Sequence, residues 1–297
     1  MDSAFGFNSK IIDVVISVDA AEMVNIQSLI AMTDSLICNW SSQEKLSITV
    51  VHRGGISDTV RALFVDAKQF ACRFLSFEED FGVTEEDERI KTKWRRILAL
   101  IYPPRATAPF FMMLDASAFC LRMCDLHTLL PDGRALTQWE RMDLHPSATR
   151  TSFQLLGGGP LLEFGLSVHP AIYSRELAGN VIKTLEERHQ QPVLSLLLAL
   201  CRQDVDWTDN SLYSLVNWAR LTEFHMSMHE QLEQSIALHS DINLWSDELD
   251  NNWSPKIWTK LAKHGVFLIL HPTSEKTLAE ALDRSYCALH SWSRLTG

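Results

Sequence analysis

Basic residues are in the minority in this chain of 297 residues, with 27 Lys and Arg against 37 Asp and Glu. The formal net charge of −10 leaves no basic excess to replace the counterions of a nucleic-acid backbone, so we predict no nucleic-acid partner. A small phosphorylated ligand needs only a local cluster of donors and is not excluded. Hydrophobic residues make up 46% of the chain, which is typical of a globular protein.

Long hydrophobic runs and cysteine motifs are also missing. No stretch approaches the roughly 20 apolar residues of a membrane span. The first ten residues lack the basic start of a secretion signal, and Asp13 and Asp19 interrupt the apolar run that follows. Of the six cysteines only Cys120 and Cys124 are close, and a lone pair is not a zinc signature. We therefore expect reduced, buried thiols, a cytoplasmic location and no transmembrane segment, with peripheral membrane contact left open.

Several compact catalytic motifs are absent as well. The glycines at 157–159 lack the Lys-Ser/Thr pair of a phosphate-binding loop. His225 and His229 are four residues apart, but no Glu follows the first of them as it does in a zinc-protease helix. The sequence contains no nucleophile elbow, dinucleotide fingerprint or kinase motif set.

Short β-rich runs alternate with helical segments in the first half, which indicates a mostly parallel α/β sheet. The predicted strands are 11–18, 46–52, 72–77 and 110–114, and the predicted helices are 23–38, 60–70 and 91–102, with the acidic residues 78–80 and 85–88 in a solvated loop. The second half is more helical. Its predicted helices begin at Ser174, at Pro192 and after Thr208 and Asp209, followed by a strand over 265–270 and a closing helix over 275–290. Without a repeat or linker, we predict one domain over residues 1–297.

Asp115 stands where the fourth apolar run stops. An open α/β sheet binds ligands in the crevice beyond the carboxyl ends of its strands. A carboxylate at this place could hold a divalent cation, which in turn could neutralise a diphosphate leaving group. The alternative is that Asp115 only caps the turn or helix that follows.

Three further places carry candidate chemistry. Asp209 falls at the predicted start of a helix, where it could take a proton from a sugar hydroxyl or bind one, although its spacing favours an N-cap. Arg95 and Arg96 have the planar donors that suit phosphate, but with Trp94 they also fit a solvated helix face with one buried ring. His239 lies in a polar turn and is a candidate extra metal ligand.

In their order along the chain, these segments resemble glycosyltransferases of the type-A nucleotide-sugar fold, in particular an uncharacterised bacterial group. That group has a Trp-x-Arg-Gln-like helix, an apolar strand ending in Asp-x-Asp, a Phe-Leu-Arg-Pro-x-Asp-Leu continuation, and later Ser-Arg and Ser-Glu-Tyr-x-Leu-Tyr-Gly segments. The resembling segments here are Trp94-Arg95-Arg96, residues 110–114, Asp115-Ala116-Ser117, residues 119–126, residues 169–175, residues 208–214, and His239 with Ser240 and Trp245. The likeness covers residues 11–288, and retaining hexose transferases of the galactinol and glycogenin type share the opening layout.

The resemblance implies a fold and a set of roles. The fold would be a glycosyltransferase type-A-like α/β domain with a Rossmann-like, mostly parallel central sheet flanked by helices and a helical C-terminal half. Residues 1–130 would bind a nucleotide diphosphate sugar and residues 131–297 a glycan or other hydroxyl acceptor, and the sugar transfer would serve surface polysaccharide synthesis. The implied donor-binding residues are Asp19, Trp94, Arg95, Arg96, Asp115 and Ser117, the implied ligands of Mn²⁺ or Mg²⁺ are Asp115, Ser117 and His239, and the implied base or acceptor contact is Asp209.

Three positions depart from the group's motifs. Ser117 replaces the second aspartate, Asp209 replaces the glutamate, and Ser214 replaces the glycine. Loss of one carboxylate removes a negative charge from the cation site, so the cation is expected to bind weakly or to be dispensable. The alternative function is a non-catalytic homologue that serves as a binding or assembly subunit. A nucleotidyltransferase has less support, because no glycine-rich, lysine-bearing loop follows the first strand.

Overall fold

A computed structural model of the chain describes residues 12–20, 23–43, 45–83, 87–167, 169–234, 237–239, 244–245 and 265–271. The strands are β1 (Ile12–Asp19), β2 (Leu46–Arg53), β3 (Phe70–Ser76), β4 (Phe110–Asp115), β5 (Ala118–Cys120), β6 (Trp139–Arg141), β7 (Phe164–Leu166), β8 (Ala171–Ser174), β9 (Ala237–His239), β10 (Leu244–Trp245) and β11 (Gly265–His271). The helices are α1 (Met23–Asn39), α2 (Asp58–Val65), α3 (Phe77–Phe81), α4 (Glu88–Ile101), α5 (Leu126–Leu129), α6 (Pro146–Leu155), α7 (Arg175–His189), α8 (Val193–Arg202), α9 (Asp209–Asn217), α10 (Leu221–Phe224) and α11 (Met228–Gln234).

The central sheet has the strand order β3-β2-β1-β4-β8. Strands β1 to β4 run parallel, and β8 pairs with β4 antiparallel. The predicted α/β class with a mostly parallel central sheet and flanking helices is therefore confirmed. The chain passes from β1 outward to β3 and then returns to the other side of β1 with β4. The carboxyl ends of β1 and β4 thus form the switch point at which open α/β sheets bind ligands.

Hydrophobic residues fill both faces of this sheet, because successive strand residues point to opposite sides. Val14 and Ile16 of β1 pack with α1 and α2, where Met32 and Phe64 are fully buried. Val15 faces the other side and belongs to the cluster that contains residues of α4, α7, α8 and α9. Burial on both faces explains why the strands read as continuous apolar runs in the sequence.

A buried polar network holds the amino end of the sheet. The Asp13 carboxylate, which is fully buried, accepts hydrogen bonds from the Ser47 hydroxyl at 2.8 Å and from the Thr107 amide at 2.5 Å. The Thr107 hydroxyl adds another at 2.8 Å, and a nitrogen of Arg73 lies 3.9 Å away. Buried polar groups of this kind are normally hydrogen-bonded. Asp13 therefore has a structural role at the end of the sheet opposite the switch point.

The remaining strands form smaller assemblies. Strand β11 pairs antiparallel with β5 and parallel with β9 and β10, and β6 pairs antiparallel with β7. The later part of the chain contributes helices α6 to α11, which confirms the predicted helical C-terminal half as far as the described residues reach. Among the helices that the structure describes, none has the length and apolar character needed to cross a bilayer.

The helix predicted over residues 60–70 is too long. Helix α2 ends at Val65, and Phe70 already belongs to β3, where it pairs with Leu46. The apolar residues of the segment fit a helix and a strand equally well. Pairing with β2 decides for the strand, because it satisfies the backbone groups of residues that are also buried.

The prediction of a solvated loop at residues 78–80 is wrong, because these residues lie in α3. The Ser76 hydroxyl caps this helix by accepting a hydrogen bond from the Glu79 amide at 3.2 Å. Acidic side chains in the first turn suit the positive end of the helix dipole. The closing helix predicted over 275–290 lies outside the described residues.

The described cysteines are all free thiols, as predicted. Cys120, Cys124 and Cys201 are buried, whereas Cys38 is exposed, so the expected burial holds for only part of the set. The sulfur atoms of Cys120 and Cys124 lie 3.6 Å apart, and the hydrogen bond with Cys124, together with burial, raises the pKa of the Cys120 thiol. A raised pKa lowers the fraction of reactive thiolate.

Candidate functional site

Asp115 is the last residue of β4 and lies at the switch point of the sheet. It is in register with Ser17 of β1, whose hydroxyl donates to Asp115 Oδ1 at 3.0 Å. From α4, Arg95 Nε lies 3.5 Å from the same oxygen. A two-residue turn containing Ser117 leads on to β5, so no helix begins here. The structure thus brings a partly exposed carboxylate and a guanidinium together beyond the strand ends.

The three consecutive residues of the α4 cluster point in different directions, because each helical residue is rotated by about 100° from the one before it. Trp94 is buried, and its ring meets the Phe77 ring edge-on with centroids 5.2 Å apart. Arg96 donates to the backbone carbonyl of Trp207 at 2.8 Å. Only Arg95 reaches Asp115. Trp94 therefore packs in the core, and Arg96 holds the segment that leads to α9.

Asp209 is the first residue of α9, and the residue before it is the cap. The Thr208 hydroxyl accepts a hydrogen bond from the Ser211 amide at 3.1 Å. The interpretation of Asp209 as the N-cap is therefore wrong. The cap position requires an extended backbone, which Thr208 has, and sequence spacing cannot separate two adjacent cap formers. The Asp209 side chain is 3% exposed and turns toward the sheet instead.

Two side chains from the segment around β8 hold one oxygen of Asp209. His169 Nε2 lies 3.0 Å from Asp209 Oδ2, and the Tyr173 hydroxyl donates to the same atom at 2.6 Å. The Tyr173 ring is fixed by stacking on Phe111 of β4 with centroids 5.3 Å apart. Tyr173 also contacts the Asn210 side chain. A phenol has only one proton, so Asn210 must present its amide NH₂ if Tyr173 donates to Asp209.

The electrostatics of this cluster favour a buried ion pair. Burial acts to raise the pKa of Asp209, but the charge and hydrogen bond of His169, the hydrogen bond from Tyr173 and the charge of Arg96 together outweigh it, and the net direction is downward. Burial likewise acts to lower the pKa of His169, but Asp209 outweighs it, and the net direction is upward. The charges of Asp115 and Arg95 also act on His169, in opposite directions. Strongly shifted pKa values are concentrated at functional sites, and structural ion-pair networks also produce them.

The remaining predicted site residues belong to three other places in the fold. Asp19 ends β1 at the same edge of the sheet and pairs with Arg53 at 3.4 Å. Ser117 is half-buried in the turn after Asp115. His239 lies in β9 with its backbone opposite Phe267, and its side chain is outside the described part. Within the described residues, no three His, Cys, Asp or Glu side chains are grouped as metal ligands would be.

Sequence reasoning did not single out His169, Tyr173 or Ser17 as site residues. His169 and Tyr173 appeared only within a resembling segment, and Ser17 lies inside an apolar strand. His169 and Asp209 are 40 residues apart in the chain, so no local spacing pattern links them. The signal that could have identified Ser17 is a polar residue inside an otherwise apolar strand.

The serine that replaces the motif glycine has a packing role. The Ser214 hydroxyl accepts a hydrogen bond from the Leu166 amide at 3.0 Å. Space for it comes from Gly165, where an added Cβ would lie 3.0 Å from the Ser214 oxygen and 2.5 Å from Met142 Sδ. The glycine at position 165 in β7 therefore makes room for Ser214 on the helix that faces it.

A second buried histidine closes a chain of hydrogen bonds beside the site. The Ser174 amide donates to the Tyr213 hydroxyl at 3.0 Å, which lies 2.9 Å from His225 Nε2. His225 Nδ1 lies 3.0 Å from the Thr137 hydroxyl, which itself donates to the Ala135 carbonyl. Every group is satisfied when His225 is neutral with its proton on Nδ1. Burial lowers the pKa of His225 to about 3.

We expect His225 to make the fold sensitive to mild acid. The unfolded chain binds a proton at this histidine below about pH 6.5, whereas the folded protein does not until about pH 3. The free energy of unfolding should therefore fall by up to about 1.4 kcal/mol per pH unit below pH 6.5. Urea titrations between pH 6.5 and 5 measure this slope. The His225→Gln variant should be less stable but show a smaller slope, and an equal slope would contradict the prediction.

Comparison with known proteins places the chain in a family. It belongs to the family of unknown function DUF6492, which it matches over residues 9–284. No curated protein sequence matches it.

The similar solved structures include several glycosyltransferases. The galactosyltransferase LgtC in complex with donor and acceptor sugar analogues is 12% identical, with a TM-score of 0.46 over 94% of this chain and 95% of that chain. Mouse xyloside xylosyltransferase 1 is 13% identical, with a TM-score of 0.44 over 88% and 98%. Core-mannan synthase A from Aspergillus fumigatus, in its Mn/GDP form, is 9% identical, with a TM-score of 0.47 over 73% and 71%. At such identities and TM-scores no activity carries over to this chain.

Proposed function

We propose that this protein is a type-A glycosyltransferase that moves a sugar from a nucleotide diphosphate sugar to a hydroxyl of a glycan or other acceptor. The observation that carries the proposal is the convergence of two charged pairs at the switch point of the sheet. The pair of Asp115 and Arg95 is partly exposed, and the pair of His169 and Asp209 is buried. A cytoplasmic role in surface polysaccharide synthesis completes the proposal, and the free thiols fit that compartment.

Arg95 and Asp115 form the donor side of the proposed site. The Arg95 side chain is 35% exposed, so its guanidinium can turn donors toward a diphosphate while Nε stays near Asp115. Asp115 would contact a cation carried by the diphosphate or a hydroxyl of the donor ribose. Asp19, at the neighbouring strand end, would contribute on the nucleoside side. Arg96 and Trp94 have packing roles and would not touch the donor.

Asp209 forms the acceptor side of the proposed site. A general base works best with a pKa near the operating pH, and the pKa of Asp209 is lowered instead. Between the two roles predicted for Asp209, the electrostatics therefore favour a hydrogen-bond acceptor for a sugar hydroxyl over a base. A fixed negative charge in a buried site also stabilises positive charge that develops on the sugar ring during transfer.

The described residues do not fit a preformed cation site. They supply the Asp115 carboxylate and the Ser117 hydroxyl, and Arg95 already offsets the charge of Asp115. Magnesium in proteins is commonly held by one or two carboxylates together with substrate phosphates. A cation would therefore depend on the donor's diphosphate for most of its ligands.

We expect Mn²⁺ or Mg²⁺ to bind weakly to the free protein and to strengthen the binding of a nucleoside diphosphate. Calorimetric titration of Mn²⁺ with and without the nucleotide measures both effects. Tight binding of Mn²⁺ to the free protein would contradict the expectation. Nucleotide binding that is indifferent to Mn²⁺ would instead indicate a metal-independent protein.

A thermal-shift screen followed by a turnover assay tests the proposed function. A ligand that binds only the folded protein adds about 2.7 kcal/mol of stability at 100 times its Kd. A nucleoside diphosphate that binds the site should therefore raise the unfolding temperature measurably. Nucleotide sugars that contain a nucleotide found to stabilise the protein are then assayed for hydrolysis and for sugar transfer. Binding without turnover of any donor would support the non-catalytic homologue. Absence of any nucleotide binding would contradict the proposal.

A further inference from the structure

His169 has one ring nitrogen engaged and one available. Nε2 faces Asp209 Oδ2 at 3.0 Å and the Tyr173 hydroxyl at 3.3 Å. No residue in the described part of the chain hydrogen-bonds to Nδ1. The ring is held edge-on against the Tyr173 ring, with centroids 6.2 Å apart, and the side chain is 10% exposed. His169 is therefore fixed in orientation, with Nδ1 left for a ligand.

The charges that face His169 are unbalanced while it is neutral. Asp209 and Asp115 are the acidic groups that act on it, and Arg95 is the basic one. Tyr173, its other neighbour, stays neutral because burial raises its pKa well above the ordinary value. Two negative charges and one positive charge therefore act directly on the His169 ring, and Arg96 acts on Asp209. A proton on His169 restores the balance, and an anionic ligand would increase the demand for that proton.

A diphosphate is the ligand that this arrangement fits. With Ser117 in place of a second carboxylate, the site has fewer groups that can hold a cation, so more of the charge of a diphosphate must be met by the chain itself. Arg95 is one fixed cation at the site. An imidazolium at position 169, anchored to Asp209 through Nε2, would be the second, and charge-assisted hydrogen bonds to phosphate oxygens are strong.

We propose that His169 binds the donor's diphosphate through its Nδ1–H as an imidazolium, and that, at pH values where His169 is neutral in the free protein, binding of the nucleotide is coupled to uptake of a proton at His169. The inference rests on the proposed function, because it assumes a diphosphate donor. It assigns His169 a role in binding the leaving group, while Asp209 positions the ring and meets the acceptor.

Proton uptake on binding is the direct test. The nucleoside diphosphate that gives the largest shift in the thermal screen is titrated at fixed Mg²⁺ between pH 7 and 9, where its phosphates are ionised. Affinity should fall as the pH rises, by at most about tenfold per pH unit for one linked proton. Calorimetry in two buffers of different ionisation enthalpy should show uptake of up to one proton. Affinity independent of pH, with no uptake, would overturn the proposal.

Variants assign the proton to His169. The His169→Gln variant should bind the nucleotide more weakly at pH 7 and lose the pH dependence, whereas His229→Gln, on an exposed face of α11, should keep both. An unchanged pH dependence in His169→Gln would overturn the proposal.

A second variant tests the proposal if His169→Gln does not fold. Asp209→Asn leaves the histidine in place but removes the charge that raises its pKa. The uptake of the proton should then move to lower pH, and an unmoved profile would overturn the assignment to His169. A wild-type protein that binds no nucleoside diphosphate would overturn the proposed function itself, which is a different result from pH-independent binding.

Discussion

Replacing Asp209 by asparagine is expected to reduce sugar transfer by about 10²–10³-fold, the range found when one group that stabilises transition-state charge is removed. Asparagine keeps the size of the side chain and one acceptor oxygen, so the hydrogen bonds from His169 and Tyr173 can persist. The negative charge is lost. The effect on kcat should therefore exceed the effect on the affinity for the nucleotide, and steady-state kinetics with a donor and an acceptor sugar separate the two.

The same substitution should cost some stability, because the buried pair with His169 becomes a neutral hydrogen bond. We expect the free energy of unfolding to fall by about 1–2 kcal/mol. Asp204→Asn is a matched control, since that side chain is 73% exposed and pairs with Lys93 at the surface. The control should retain transfer activity and stability. Full transfer activity in Asp209→Asn would remove Asp209 from the mechanism.

Replacing Asp115 by alanine is expected to abolish the metal-dependent binding of the donor and, with it, transfer. Asp115 is the carboxylate at the end of β4, and the described residues around it do not form a group of three His, Cys, Asp or Glu side chains that could hold a cation by themselves. The effect of the substitution on nucleotide binding differs with and without the metal. Without Mn²⁺, loss of the carboxylate frees Arg95 from its partner, so the binding of a nucleoside diphosphate should be unchanged or tighter.

Controls for Asp115→Ala follow from its surroundings. Asp115→Asn keeps an acceptor for the Ser17 hydroxyl but lacks the charge, and it should behave like the alanine variant in the presence of Mn²⁺. Asp143→Ala removes an exposed carboxylate paired with Arg141 and should change nothing at the site. The fold should stay intact in all three, as judged by thermal unfolding. Unchanged donor binding in Asp115→Ala in the presence of Mn²⁺ would leave Asp115 as a residue of the turn.

Strands were predicted from the sequence more accurately than the site. The runs at 11–18, 46–52 and 110–114 correspond closely to β1, β2 and β4, because strands buried on both faces are apolar throughout. The prediction was ambiguous where an apolar segment fits either a helix or a strand, as at residues 60–70. Pairing with a neighbouring strand resolves such a segment, and pairing is a property of the folded sheet.

The candidate site was only partly accessible from the sequence. Asp115 could be singled out because a carboxylate after an apolar strand has a known place in a parallel sheet. Asp209 was identified but was expected to cap its helix. Its true partners, His169 and Tyr173, approach it from a distant part of the chain, and no local pattern predicts such a contact. Helical rotation then separated Arg95, which reaches the site, from Trp94 and Arg96, which do not.

The sequence by itself determined the class of the fold, the strand that ends at the switch point, and the acidic residue that stands there, because these depend on local hydrophobic patterns. Only the tertiary structure decided how the charges are paired. The pKa values of Asp209 and His169 move in opposite directions because burial and a partner 3.0 Å away act on both at once. Neither burial nor distance is a property of residues read one after another along the chain.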